Sequence, residues 1–285
     1  MRLAILPILL ALPAIVHSQA VTLTPAIVEF GSPELIRVHT QHPMTKVEGE
    51  WFGHTIQFFS NGDLSTWYAL VGVDVEAPSG PSSLKITAYA KEKPTDLSLA
   101  IPIRPAHYRT GAITVEPRFV EPGPEDQKLI EAASKAKDKA FAETANHPLW
   151  ASSFRAPVKA TATDSFGTRR TFNGKLASIH KGTDFRAASG TPVLAGNSGT
   201  VVLAQKLFYE GNCVMIDHGL GLMSISMHLS RIDVKPGQQV IRGQPLGLSG
   251  ATGRVTGPHL HWAIRWEGVM LDPVKLLHLN LNNLP

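Results

Sequence analysis

From Val21 to about Pro105, short apolar, β-branched and aromatic runs alternate with polar turn clusters. Val21–Leu23, Leu35–His39, Thr55–Phe59, Trp67–Val71 and Ser83–Ala90 read as strands, parted by turns such as Ser60-Asn61-Gly62-Asp63 and Pro78-Ser79-Gly80-Pro81. Regular spacing of this kind predicts a small β-sandwich. Glu116-Pro-Arg-Phe-Val-Glu-Pro-Gly123 interrupts the pattern, and Pro124, Glu125 and Asp126 supply a proline and two acids for a helix's first turn. Leu129, Ala132, Ala133, Ala136 and Ala140 recur at helical spacing among interspersed lysines, which predicts one helix over about 124–144, exposed except along a thin face. Beyond Phe154 the β pattern returns at Thr200–Ala204, Cys213–Asp217, Met223–Met227, Gln239–Ile241 and His259–Trp266, separated by glycine-rich turns.

The expected fold is therefore predominantly all-β, with an N-terminal β-sandwich (21–106), a linker with the helix (107–153) and a C-terminal antiparallel β domain (154–280). The composition, 43% hydrophobic and 18% charged, is that of an ordinary globular chain and argues against disorder. Residues 1–20 add a targeting expectation: Arg2, an apolar run from Leu3 to Val16 broken by Pro7 and Pro13, and small residues at Ser18 and Ala20 describe a cleaved signal peptide. That run is too short to span a bilayer, so no stable membrane anchor is expected after cleavage.

The net charge of +4 is a mild basic bias without a lysine or arginine block interleaved with aromatics, which gives nucleic-acid binding no support and suits an anionic envelope polymer. Cys213 is the only cysteine, so neither a disulfide nor a lipid-bearing thiol beside the signal junction is available. Its apolar setting predicts a buried thiol without a chemical role.

Candidate chemistry lies in the histidines. His180 and Asp184 are separated by Lys-Gly-Thr, an even offset with Gly182 available for a local bend, and His259-Leu-His261 begins a strand whose alternation turns both imidazoles to one side. His228 ends another β-like run. Two imidazoles and a carboxylate form a common catalytic zinc set that keeps one position open. His39, His42 and His54 lack such spacing, and His218 in Asp-His-Gly is expected to stabilise a turn.

The ordered series His180-Lys-Gly-Thr-Asp184, Gly190-Thr-Pro-Val193, Gly199-Thr-Val201, Asp217-His-Gly219, His228-Leu-Ser230, Val234-Lys-Pro-Gly237 and Gly257-Pro-His-Leu-His261 resembles the lysostaphin/LytM-like zinc endopeptidases over about residues 165–277. The resemblance implies one Zn²⁺ per chain held by His180, Asp184 and His261, with His228 and His259 as the catalytic pair. It also implies hydrolysis of peptide bonds in peptidoglycan stem or cross-link peptides by an exported enzyme, in the periplasm, the envelope or outside the cell. The sandwich similarly resembles the accessory domain ahead of some exported members. One departure stands out: the family usually has Tyr two residues before the His of its His-Leu-Ser motif, where this chain has Ser226.

Arg170 and Arg254 are candidate receptors for a substrate carboxylate, since an arginine can bind one through two parallel hydrogen bonds. Two other classes of protein share features with this sequence. A non-catalytic activator of wall hydrolases on the same scaffold would typically have lost ligands, and here all are retained. A biotinyl- or lipoyl-type carrier would need a lysine at a hairpin tip flanked by Met, and none is present.

Overall fold

The computed structural model describes residues 20–60, 62–91, 93–282 and 284, so the expected signal peptide lies outside the described residues except for Ala20. Strands dominate, as the alternation predicts. In the N-terminal part, Ala20–Thr24, Pro33–His39 and Thr66–Gly72 form a three-stranded antiparallel sheet. Facing it, a five-stranded sheet runs in the order Val28–Glu29, Lys93–Arg104, Gly80–Ala90, Lys46–Trp51, His54–Gln57. The residues between the two layers, among them Ile36, Val38, Trp51, Leu84 and Ile86, are buried.

A helix follows at Pro124–Ala142, with Pro124 at its start and Glu125 and Asp126 in the first turn, where acids complement the helix dipole. Only Ala133 and Ala140 are buried in it, and this small-residue stripe packs on the Gly199–Leu207 strand in one cluster with Leu203, Leu207 and, from the neighbouring Gly211–Asp217 strand, Met215. Among the described residues no helix is long and apolar enough to cross a membrane.

The C-terminal part is organised by an eight-stranded sheet. Its path is Ala162–Asp164, Thr183–Phe185, Leu260–Trp266, Leu222–Leu229, Gly211–Asp217, Gly199–Leu207 and Gln239–Val240, with Val269–Leu271 pairing on Leu260–Trp266. All of these ladders are antiparallel. A small sheet of Pro192–Leu194, Pro245–Leu248 and Arg231–Ile232 covers one face, and Trp262 is completely buried between them. Emptying a site of this size by truncation to alanine costs about 3–5 kcal/mol.

The linker contains more order than its sequence announces. Thr110–Ile113 is a strand that pairs in parallel with Arg169–Phe172, which forms a hairpin with Leu176–Ile179, so a piece of the linker builds a third strand onto the C-terminal part. The two parts also share one continuous apolar core. Gly72 leaves room for Leu271, whose side chain would lie 2.1 Å from an added Cβ. The Asp272 N–H donates to the Gly31 carbonyl (2.8 Å), Lys275 pairs with Glu29 (2.7 Å), and Phe59 meets Trp150 edge to face at 5.3 Å.

Close to this junction, Glu34 is fully buried, accepts a hydrogen bond from Ser32 Oγ (2.5 Å) and leaves its second oxygen without a partner. Burial pushes its pKa up from 4.5 to about 8. A carboxyl that keeps its proton on folding contributes stability that is full below pH 4.5 and is lost as the pH rises through 8, here up to roughly 5 kcal/mol. Glu34→Gln is therefore expected to match the parent in thermal melts near pH 5 and to melt higher near pH 8. Parallel stability curves for the two proteins would show that Glu34 ionises normally.

Candidate active site

Asp184 and His261 are directly paired across adjacent antiparallel strands, Thr183–Phe185 and Leu260–Trp266, which puts both side chains on one face of the sheet. The chain bends at Gly182 and returns His180 to the same point. His180 Nε2 lies 3.1 Å from Asp184 Oδ1 and 3.0 Å from His261 Nδ1, and the last two atoms are 2.8 Å apart. Three donor atoms from two distant stretches of sequence thus converge on one point.

Gly182 has a role beyond bending. A Cβ there would lie 2.3 Å from His261 Nε2 and 2.8 Å from the Trp262 carbonyl, so the imidazole occupies the space a side chain would fill. Gly182→Ala is expected to displace the His261 ring and weaken metal binding by roughly tenfold to a hundredfold, the range seen when the support of a ligand is disturbed. Competition with a chromophoric chelator measures this, and parental affinity would show that the ring has room to move.

Three of the imidazoles are fixed by a backbone carbonyl, which can only accept. His180 Nδ1 donates to Ser165 O (3.1 Å), His228 Nδ1 to Thr252 O (2.8 Å) and His259 Nδ1 to Gly257 O (2.8 Å), leaving Nε2 of each neutral ring with a lone pair. His180 Nε2 therefore faces the Asp184 carboxylate lone pair to lone pair, a contact that a proton or a cation must mediate. Burial alone would raise the Asp184 pKa, but the adjoining His180 and His261 hold the carboxyl far below the usual carboxylate range. The His261 pKa is lowered, chiefly by burial. Two nitrogens and one oxygen at this spacing fit a zinc ion after small outward adjustments.

His228 and His259 stand beside this triad. Their ring centroids are 5.0 Å apart, His228 is 5.9 Å from the His261 ring, and His259 Nε2 is 3.7 Å from Asp184 Oδ1. Burial, then the nearby His261 and His259, push the His228 pKa down to about 3, so its ring is neutral at neutral pH. The position of His228 depends on a break in strand alternation. Met227 pairs with His261 and shares its face, so a regular strand would turn residue 228 away. Instead the register slips against Gly211–Asp217, and His228 takes a left-handed backbone conformation, φ +64°. Consecutive residues Met227 and His228 consequently both line the cleft. Ser226, paired with Trp262 and buried, faces the interior.

The two arginines have different surroundings. Arg170 donates from Nη2 to Asp184 Oδ2 (2.9 Å) and from Nε to Asp164 Oδ2 (2.9 Å), so its guanidinium is already held by two carboxylates and fixes the Asp184 oxygen that faces away from the histidines. Arg254 lies 4.4 Å from the Phe172 ring and 4.7 Å from the Tyr209 ring. His218 is buried, bonded to Ser198 O (2.7 Å) and Ser224 Oγ (2.8 Å), in keeping with a structural role. Cys213 is buried, and burial pushes its thiol pKa up.

The histidines, Asp184 and both arginines line one cleft of about 290 Å³. Ile113 and Val115 of the linker complete its wall, together with Tyr209 and Glu210. These four are contributions that no local sequence signal announces, as are the Ser165, Thr252 and Gly257 carbonyls, because a backbone acceptor can come from any residue type.

Over 101 residues the chain is 48% identical to the peptidoglycan DD-endopeptidase ShyA of Vibrio cholerae, covering 35% of this chain and 24% of that protein. It is 36% identical over 149 residues to ShyB of the same organism, covering 50% and 35%. The matches thus span about a quarter to a third of these curated relatives. A crystal structure of a candidate peptidase M23 from Pseudomonas aeruginosa superimposes with a TM-score of 0.65 at 28% identity, over 85% of this chain and 92% of that one, so the likeness includes the N-terminal sheets. Residues 178–273 match peptidase family M23, a stretch that contains His180, Asp184, His228, His259 and His261. This chain carries a peptidase family M23 domain.

Proposed function

We propose that the protein is an exported zinc-dependent endopeptidase that hydrolyses peptide bonds in the stem or cross-link peptides of peptidoglycan. The observation that carries this reading is the convergence of His180 Nε2, Asp184 Oδ1 and His261 Nδ1 within 2.8–3.1 Å, with two further imidazoles facing the same cleft. In it, His180, Asp184 and His261 hold one ion, and residues 21–106 serve as an accessory sandwich. A bound zinc ion supplies Lewis-acid polarisation of the scissile carbonyl and acidifies water. Arg170 keeps the Asp184 carboxylate turned so that one oxygen faces the imidazoles. His228, its Nδ1 proton spent on Thr252 O, offers Nε2 to orient the attacking water and take its proton. His259, tethered through Nδ1 to Gly257 O, donates to the oxygen on which negative charge develops when its Nε2 also carries a proton.

Incubating the purified protein with isolated peptidoglycan, with and without chelator, and weighing the released fragments by mass spectrometry tests this reading. Chelator-sensitive release of peptides cut within stems or cross-links is expected. Intact peptidoglycan, or cleavage of the glycan strand, would overturn it.

A further inference from the structure

Arg254 is held in an unusual way. Its guanidinium lies over two aromatic rings, Phe172 and Tyr209, with its central carbon 4.4 and 4.7 Å from their centroids. Contact with two aromatic faces restrains the group and leaves its N–H edges unused. Among the described residues no side chain or carbonyl accepts from that guanidinium and no carboxylate pairs with it. The acid that lies nearby along the cleft, Glu210, is bonded to Lys137 at 2.6 Å. Half-burying a cation that no carboxylate contacts is costly, and burial lowers the Arg254 pKa, with Tyr209 and Glu210 nearby opposing part of the shift.

The turn that bears Arg254 is rigid and shared with the proposed chemistry. Arg254 N–H donates to the Tyr209 carbonyl (2.8 Å), and Gly253 packs so closely that a Cβ would lie 2.4 Å from Gly211 N and 2.5 Å from Tyr209 O. Thr252, two residues earlier, supplies the carbonyl that holds the His228 ring. One short backbone segment therefore sets the spacing between the unpaired guanidinium and an imidazole at the reacting end of the cleft. On the same cleft, Arg170 is already committed to Asp164 and Asp184 and Lys181 lies 3.9 Å from the Glu76 carboxylate, which leaves Arg254 as the lining cation that no carboxylate contacts among the described residues.

We infer that Arg254 is a specificity-determining residue that binds a carboxylate of the peptide substrate close to the scissile bond. The inference rests on the reading of the protein as a peptidoglycan endopeptidase. Two sources can present that chemistry, the free α-carboxylate of a peptide's last residue and a carboxylate pendant on a residue inside the stem.

The test compares a purified cross-linked muropeptide dimer with a fully amidated twin and with singly amidated forms. The enzymes are the zinc-loaded parent, Arg254→Gln and Arg254→Lys, each checked for zinc content and melting temperature. Loss of a two-pronged charged contact predicts that full amidation lowers the parent's kcat/KM roughly tenfold to a hundredfold. Arg254→Gln, which has no charge to lose, should discriminate less than about twofold, and Arg254→Lys should fall between. The singly amidated form that reproduces the loss identifies which carboxylate is read. Equal rates of the parent on free and amidated dimers overturn the inference even if Arg254→Gln fails to fold, as does equal discrimination by parent and variant. Should no dimer be cleaved at all, the endopeptidase reading falls. Calorimetric binding to the parent then decides on Arg254, with tighter binding of the carboxylate form supporting it and equal binding overturning it.

Discussion

His261→Ala is expected to lose stoichiometric zinc and at least about a thousandfold of hydrolysis while remaining folded. The size of the effect follows from the convergence of three donor atoms. Removing His261 Nδ1 leaves His180 Nε2 and Asp184 Oδ1, 3.1 Å apart, as the remaining donors of the set. The change is made at a largely buried position whose ring rests on the bare backbone of Gly182, so the strand and its neighbour Trp262 need not move. Zinc content by mass spectrometry, kcat/KM and a melting curve are read on the same sample. A variant that keeps its metal and its turnover would place the ion elsewhere.

His228→Ala is expected to separate binding from chemistry. It should keep its zinc, keep KM within about threefold and lose roughly 10²- to 10⁴-fold in kcat, the usual contribution of a positioned proton acceptor. Since His228 is not among the three converging atoms, metal loss in this variant would contradict the division of labour. Unchanged kcat would remove His228 from the reaction.

Much of the fold can be read from alternation. The strand Gly199–Leu207 buries every second residue over its first half, and the helix begins at the proline and acids that mark it. Lys93–Arg104 is harder to read because Pro94 and Pro102 look like breakers. Its far edge is unpaired except at Ile103 and Arg104, however, and an open edge is where a missing N–H costs least. Thr110–Ile113 is illegible for a different reason. Four residues carry little periodicity, and what makes them a strand is the partner at Arg169–Phe172, more than fifty residues away in the chain.

At the site, residue types and spacing single out His180, Asp184 and His261, and the register of Asp184 opposite His261 explains why a distant pair meets. Geometry supplies what spacing cannot. The slip that returns His228 to the cleft face depends on a backbone angle, and Gly182 matters for the space it leaves as well as for the bend. The two arginines, alike in sequence, differ because Asp164 and Asp184 engage one and two aromatic rings hold the other. Ser226 departs from the family pattern at a position that faces the interior, so the pattern is broken away from the reacting groups.

The most direct measurement is a zinc titration of the metal-stripped full chain, reading the rate of peptide release from peptidoglycan at each addition. Hydrolysis is expected to rise in proportion to added zinc, to saturate at one ion per chain, and to be absent throughout from His261→Ala. Full activity in the stripped protein, or an equal response to zinc from His261→Ala, would contradict a metal centre built from His180, Asp184 and His261.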